Sequence, residues 1–268
     1  MHLKPIRPDS DVSLRDKDAR SPKKAPKGDE LRKQTAKQVE RIGELQRVFA
    51  ADGRHALLIV LQGRDASGKD GTIRHVFEAV NPQGCEVTSF KAPTALELRH
   101  DFLWRVHQRV PERGMFGLFN RSHYEDVLAV RVHRLVPKKI WSARYDLIND
   151  FERMLTESGV VILKFFLHVS RAEQKARLVE RLTDPTKNWK FSEGDLKERS
   201  LWSEYGAAYR DMLTRCSTPS APWYIVPADD KPHRNWLVAR TIVRALEGLD
   251  LEYPAADPSV LRLASKIE

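Results

Sequence analysis

Cysteine is nearly absent: Cys85 and Cys216 are the only two in 268 residues. Two thiols make neither a disulfide framework nor a zinc cluster, and they read as reduced cysteines of a cytoplasmic protein. No apolar run approaches the roughly 18 residues that a membrane helix needs. The opening stretch MHLKPIRPDSDVSLRDKDAR lacks the apolar centre of a secretory signal. Internal repeats and low-complexity tracts are missing too. What is present is globular in composition, with 41% hydrophobic and 31% charged residues, which excludes a wholly disordered chain.

The balance of 46 basic against 37 acidic residues leaves +9. Residues 1–27 hold eight Lys/Arg, four Asp and four Pro, so +4 of that excess lies in a short segment with few apolar groups. Such a segment is expected to stay unfolded, because it cannot offset its own ordering entropy. The domain reading is therefore a disordered basic tail over residues 1–30 and a single domain over 31–268. The modest excess left in the domain suits a polyanionic substrate as well as RNA.

From Leu31 to about Ala51 apolar residues recur at helical spacing, which predicts a leading helix packed on the core. Five strands are predicted after it: Ala56–Leu61, Cys85–Phe90, Met115–Phe119, Val160–Val169 and Trp223–Val226. Their apolar runs are continuous rather than alternating, as expected of parallel strands covered on both faces. The intervening segments are long enough for crossover helices, so the fold class is α/β with a doubly wound five-stranded parallel sheet.

Directly after the first strand comes Gly63-Arg64-Asp65-Ala66-Ser67-Gly68-Lys69-Asp70, a GxxxxGK loop that leads through Gly71 and Thr72 into a helical stretch. Strand, glycine loop and helix are the context in which such a loop cradles phosphate. Glycines let backbone N–H groups turn inward, and the helix N-terminus adds partial positive charge. Lys69 is expected on the terminal phosphates. Asp70 replaces the usual Ser or Thr, and reads as a residue favoured by the helix dipole. Asp65 is the better Mg²⁺ ligand, because a carboxylate beside phosphates repels them unless a cation lies between.

The third strand runs into Asn120-Arg121-Ser122-His123-Tyr124-Glu125-Asp126. Ligands of open α/β sheets lie beyond the carboxyl ends of strands, so Asn120, Arg121 and Ser122 should face the loop, with Arg121 clamping a phosphoryl oxygen. A lone His123 reads as structural. Glu125 and Asp126 either hold metal or face solvent; Glu125 is also a candidate for binding substrate, and Asp126 joins Asp65 as a candidate metal ligand. After the fourth strand Arg177 and Arg181 share a helix face, and with Lys187 and Lys190 they form a basic cluster. Pro and Gly mark a loop there, expected to act as a lid over about residues 182–196. Trp189 and Phe191 are expected to anchor it.

Three separated motifs carry a resemblance. GRDASGKDGT at 63–72, FNRSHYEDV at 119–127 and NWKFSEGDLKERSLW at 188–202 resemble the polyphosphate kinase 2 family, as do APWYIVPAD at 221–229 and HRNW at 233–236. The resemblance implies a P-loop kinase-like sheet with a helical lid. It implies Mg²⁺-dependent transfer of phosphoryl groups between inorganic polyphosphate and nucleotides, with Mn²⁺ as an alternative metal. It makes Asp65, Lys69, Asn120 and Arg121 the catalytic set and matches the lid's basic residues to Arg177, Arg181, Lys187 and Lys190. Members restricted to one nucleotide level tend to read DRSWYNR at the second motif. NRSHYED looks like class III, which takes both AMP and ADP. Adenine nucleotides are the expected partners, with guanine open, in a homo-oligomer without nucleic acid or membrane.

The chemistry needs no strong base, because the attacking phosphate oxygen is already anionic. It needs Lys, Arg and Mg²⁺ in a dry site, and the chain offers these while offering no convincing Ser–His–Asp set. One rival is an ATP-dependent nucleoside monophosphate kinase, which shares loop and lid. Another is a basic RNA-binding module, but the RNP pattern, KH loop and zinc knuckle are missing.

Overall fold

The structure, a computed structural model, describes residues 2–8 and 10–267, without the side chains of Lys190, Leu261, Ala264 and Ser265. Five strands form one sheet: β1 (Ala56–Gln62), β2 (Cys85–Ser89), β3 (Phe116–Asn120), β4 (Val160–His168) and β5 (Trp223–Pro227). Their order is β2-β3-β1-β4-β5 and every neighbouring pair is parallel. All five predicted strands are present, within a residue or two at each end.

The helices in chain order are α1 (Gly28–Asp52), α2 (Lys69–Val76), α3 (Trp104–His107), α4 (Ala129–Val132), α5 (Lys138–Glu157), α6 (Arg171–Thr183), α7 (Glu193–Ser200), α8 (Trp202–Arg215), α9 (Lys231–Glu247) and α10 (Pro258–Leu261). The pleat of β1 divides its side chains between two cores. Leu57, Ile59 and Leu61 pack with Ile42 and Phe49 of α1 and with Trp236 and Ile242 of α9. Leu58 and Val60 pack with Ile148 of α5 and with Tyr209 and Met212 of α8. A strand buried on both faces has no polar side to show, hence its unbroken apolar run. No helix among the described residues is long and apolar enough to cross a membrane.

The segment before α1 corrects the expectation of a disordered tail. Ile6 N–H donates to Trp223 O (2.9 Å), and Pro5 forms an antiparallel bridge with Tyr224 on the open edge of β5. Further along, His168 Nε2 lies 3.0 Å from Arg15 O, and Asp229 N–H donates to Ala19 O (3.1 Å). Val12, Ala19 and Ala25 are buried, and residues 28–30 already belong to α1. Low average hydrophobicity misleads here because a few apolar side chains meet pre-formed slots, while an unpaired sheet edge supplies backbone partners.

Candidate active site

Parallel strands put all their carboxyl ends on one side. There the β1–α2 loop, the residues after β3 and the start of α6 meet. Lys69 Nζ folds back under the loop and donates to Gly63 O (2.8 Å) and Arg64 O (3.3 Å). Gln174 Nε2 of α6 donates to Asp65 O (3.0 Å), and Arg177 Nη1 to Ala66 O (2.9 Å) and Ser67 O (3.1 Å). Gly68 O accepts from Thr72 N–H (2.9 Å). Every carbonyl from Gly63 to Gly68 is therefore engaged from the protein side. In a trans peptide N–H points opposite to C=O, so holding the carbonyls back turns most of the loop's N–H groups outward. Ser67 N–H is the exception, donating to Arg64 O (3.1 Å).

Left-handed backbone at three positions reinforces this shape. Gly68 sits at φ 99°, and a Cβ there would fall 1.9 Å from Arg234 Nη1. Ala66 and Arg121 both take φ near 61°, a region non-glycine residues seldom occupy. The Arg121 turn is tied to β1 by its N–H, which donates to Leu61 O (3.0 Å).

In front of the loop lies a cleft of about 390 Å³. Of the residues singled out in the sequence, Asp65, Ala66, Gly68, Lys69, Asp70, Asn120, Arg121, Arg181 and Lys187 line it. Arg121 Nη2 pairs with Asp65 Oδ1 (2.6 Å), and Asn120 Nδ2 donates to Asp70 Oδ1 (2.7 Å). Glu125 stands 3.6 Å from Arg121 Nη1, and Glu125, then Asp65, raises the guanidinium's pKa. Burial, and next Arg121, lowers Lys69 from 10.5 to about 8. Seven basic side chains line the cleft against three acidic ones. Asp65 and Asp70 are the carboxylates beside the loop. Among the described residues no three of His, Cys, Asp and Glu converge as a metal cage. One or two carboxylates completed by phosphate oxygens and water are what Mg²⁺ usually accepts, so the donor set fits it.

Several expected residues stand elsewhere. Asp126 does not line the cleft: its carboxylate pairs with Arg144 (2.9 Å), and burial raises its pKa against that pull. Ser122 is fully buried and caps the turn after β3, accepting from Tyr124 N–H (3.2 Å). Thr72 is buried too, its hydroxyl donating to Gly68 O (3.1 Å). Gly71 belongs to α2 and not to the cleft wall, and Ser67 Oγ is buried without a partner among the described residues. Arg64 points away from the cleft, stacking 3.8 Å over Trp202 and donating to Trp202 O (2.9 Å). Arg177 reaches the wall of the cleft with its guanidinium already committed. Nε binds Glu173 (2.8 Å), Nη1 holds the loop, and Nη2 donates to Ala228 O (2.6 Å) and Asp229 O (2.8 Å). It braces the loop instead of reaching into the cleft. Lys190's side chain lies outside the described residues.

The expected lid segment is tied down by Arg181–Asp195 (3.2 Å) and by a capping box between Ser192 and Asp195. Lys187 bridges Asp184 (2.8 Å) and Glu180 (2.7 Å), which in that order raise its pKa. Trp189 does not anchor the segment in a core: it is 74% exposed, its indole donating to Thr186 O (3.0 Å).

Lys91 and Lys231 line the cleft without having been foreseen. They follow β2 and β5, so the strand-end rule that located Arg121 could have found both. A buried cluster behind the Arg121 turn was also missed. Lys164 Nζ donates to Tyr124 Oη (2.8 Å) and Cys216 O (2.7 Å) and pairs with Glu152, which also meets His123 (3.2 Å). Burial alone would raise Glu152; Lys164 and then His123 hold it below the usual carboxylate range. The cluster clamps α5 and β4 to the turn that carries Asn120 and Arg121, and it makes His123 structural. Both thiols are free, and burial pushes Cys85 up to about 11 and Cys216 up to about 12, so neither is a ready nucleophile.

Residues 25–254 match the family described as Polyphosphate kinase 2 (PPK2). The chain belongs to this family. It is 55% identical over 214 residues to an AMP/ADP-polyphosphate phosphotransferase of Meiothermus ruber, covering 80% of each chain. It is 48% identical over 234 residues to an ADP-polyphosphate phosphotransferase of Rhodopseudomonas palustris, covering 83% of this chain and 81% of the relative. The fold superposes on the crystal structure of Polyphosphate Kinase 2 from Arthrobacter aurescens TC1 with a TM-score of 0.87 at 43% identity, covering 91% of this chain and 88% of that one. The P-loop kinase-like sheet expected of a polyphosphate kinase 2 chain is thus the sheet observed.

Proposed function

We propose that this polyphosphate kinase 2 protein moves a phosphoryl group from inorganic polyphosphate to AMP, giving ADP, and to ADP, giving ATP, each step being reversible. The observation that carries the proposal is the cleft itself, where seven basic side chains surround a loop with its carbonyls held back. The M. ruber relative, named for both AMP and ADP, supports the breadth of acceptor.

In the reaction an oxygen of the acceptor phosphate bonds to the terminal phosphorus of polyphosphate as the bridging P–O bond breaks. The shortened polyphosphate leaves with the electron pair. Lys69 and the outward N–H groups hold the phosphates in line, and Arg121 neutralises charge that spreads over the transferring group. Asn120 positions the Asp70 side of the cleft. Asp65, with Asp70 beside it, would hold Mg²⁺ or Mn²⁺, which supplies charge neutralisation between phosphates when bound. Arg181, Lys187, Lys91 and Lys231 supply charge for the rest of the anionic chain. Such contacts tolerate ~1 Å shifts better than directed hydrogen bonds, which suits acceptors differing by one phosphate. Guanine acceptors and a homo-oligomeric state belong to the same proposal; GMP turnover and light scattering test them.

The deciding experiment supplies AMP, polyphosphate and Mg²⁺ and nothing else. ADP and then ATP should form. Formation of ADP alone would narrow the acceptor to AMP. No product from polyphosphate, beside good turnover with ATP as donor, would replace the proposal by an ATP-dependent nucleoside monophosphate kinase.

A further inference from the structure

Arg234, on α9, has no place in the mechanism above, although it lies directly behind the loop. Its exposure is 2%, the side chain being fully enclosed. Nη1 donates to Ser67 O (3.3 Å), while Nε and Nη2 both donate to Asn235 Oδ1 (3.1 and 2.8 Å). The peptide that Arg234 shares with Arg177 carries the N–H of Gly68, at the entry to α2. Gly68 leaves room for the guanidinium, as any Cβ would fall 1.9 Å from Nη1.

The charge arrangement is unusual. Arg177 has Glu173 at 2.8 Å, but Arg234 has no ion-pair partner among the described residues. Burial, then Arg177, lowers its pKa from 12.5 to about 10, with Asp230 opposing. A buried cation without a carboxylate costs stability unless another charge compensates it. The N–H side of that peptide turns toward the cleft, where a bound anion would supply the compensation that Asp230, in no ion pair with Arg234, leaves incomplete.

We propose that Arg234 is a positioning residue for phosphate binding: it fixes the Ser67–Gly68 peptide and stores an uncompensated positive charge behind the loop, which phosphate completes. The inference rests on reading residues 63–70 as the phosphate-binding loop. It predicts opposite signs for stability and affinity, which a packing role does not. In the full-length protein, Arg234→Met keeps the volume and removes the charge, while Ser67 O retains Arg177 as donor. Its melting temperature without ligand should be unchanged or higher. Its Kd for inorganic tripolyphosphate, by calorimetry, should weaken about tenfold or more, with KM for polyphosphate rising more than kcat falls. Arg234→Lys should restore most of the affinity. A lower melting temperature with unchanged Kd would make Arg234 a packing residue, and so would a Met variant that fails to fold. Lys69→Ala, measured in parallel, separates the two levels. If it too leaves tripolyphosphate binding intact, the loop assignment fails; if it weakens binding while Arg234→Met does not, the loop stands and Arg234 falls.

Discussion

Lys69 sits beneath the loop in a place that disfavours its own charge. The fall of its pKa from 10.5 to about 8 corresponds to roughly 3 kcal/mol against the ammonium in the free protein. Between those two values the unfolded chain binds more protons, so this group's contribution to stability rises with pH across that window. Phosphate acts in the other direction, because an anion favours the ammonium. Affinity for tripolyphosphate should therefore decline as pH rises through about 8, with proton uptake on binding. Calorimetry in buffers of different ionisation enthalpy counts those protons, and zero uptake just above that pH would remove Lys69 from the phosphates. Lys69→Ala should lower turnover by at least ~10²-fold, the worth of one preorganised electrostatic group, while the circular dichroism spectrum stays native. Asp65→Asn should raise the Mg²⁺ concentration needed for half-maximal rate. An unchanged metal titration would show that Asp65 serves only as the partner of Arg121.

At the scale of elements, α6 is a brace for the β1–α2 loop, and this separates two basic residues that sequence places in one cluster. Arg177 satisfies four backbone carbonyls from two segments. Arg177→Ala should cost roughly 2–4 kcal/mol, because buried acceptors lose charged donors. A thermal scan should show a drop of about 5–10 °C, and the activity loss should be the same for polyphosphate and nucleotide. Lys187 is half exposed and joined only to carboxylates. Lys187→Ala should leave the melting temperature nearly untouched and raise KM for long polyphosphate more than for nucleotide, an effect that salt weakens. Equal effects of the two substitutions on both substrates would reverse this division of labour.

For the whole molecule, the segment before α1 is the unexpected element. It covers the β5 edge and then reaches the α6 side of the site, where Arg171 N–H lies 3.3 Å from Asp16 Oδ1. Deleting residues 2–27 should lower the melting temperature by about 5–10 °C, since a domain of this size loses ~2–4 °C per kcal/mol. The deletion should also expose an edge strand, so light scattering should detect association as the sample warms. A truncated protein that melts like the full chain would mean that the segment adds nothing to the core.

The five strands, the leading helix and the glycine loop between β1 and α2 were legible because each depends on neighbours in the chain. A run such as Ala56–Gln62 can be buried on both sides only in a covered parallel sheet, and GxxxxGK needs only its own glycines to curl. Asn120 and Arg121 were legible by one further rule, that parallel strands end on the same side. Which arginines face the cleft was decided by tertiary structure alone. Arg177 meets Ala66 across 111 residues, and Arg234 meets Ser67 across 167. No local pattern distinguishes a guanidinium that will brace carbonyls from one that will meet phosphate. Asp126 and Ser122 share a motif with Arg121, yet the turn after β3 sends them to Arg144 and to a backbone cap. Side-chain direction in a tight turn follows from what packs behind it, and for that turn the backing is Lys164 of β4 and Glu152 of α5, which hold the turn's own Tyr124.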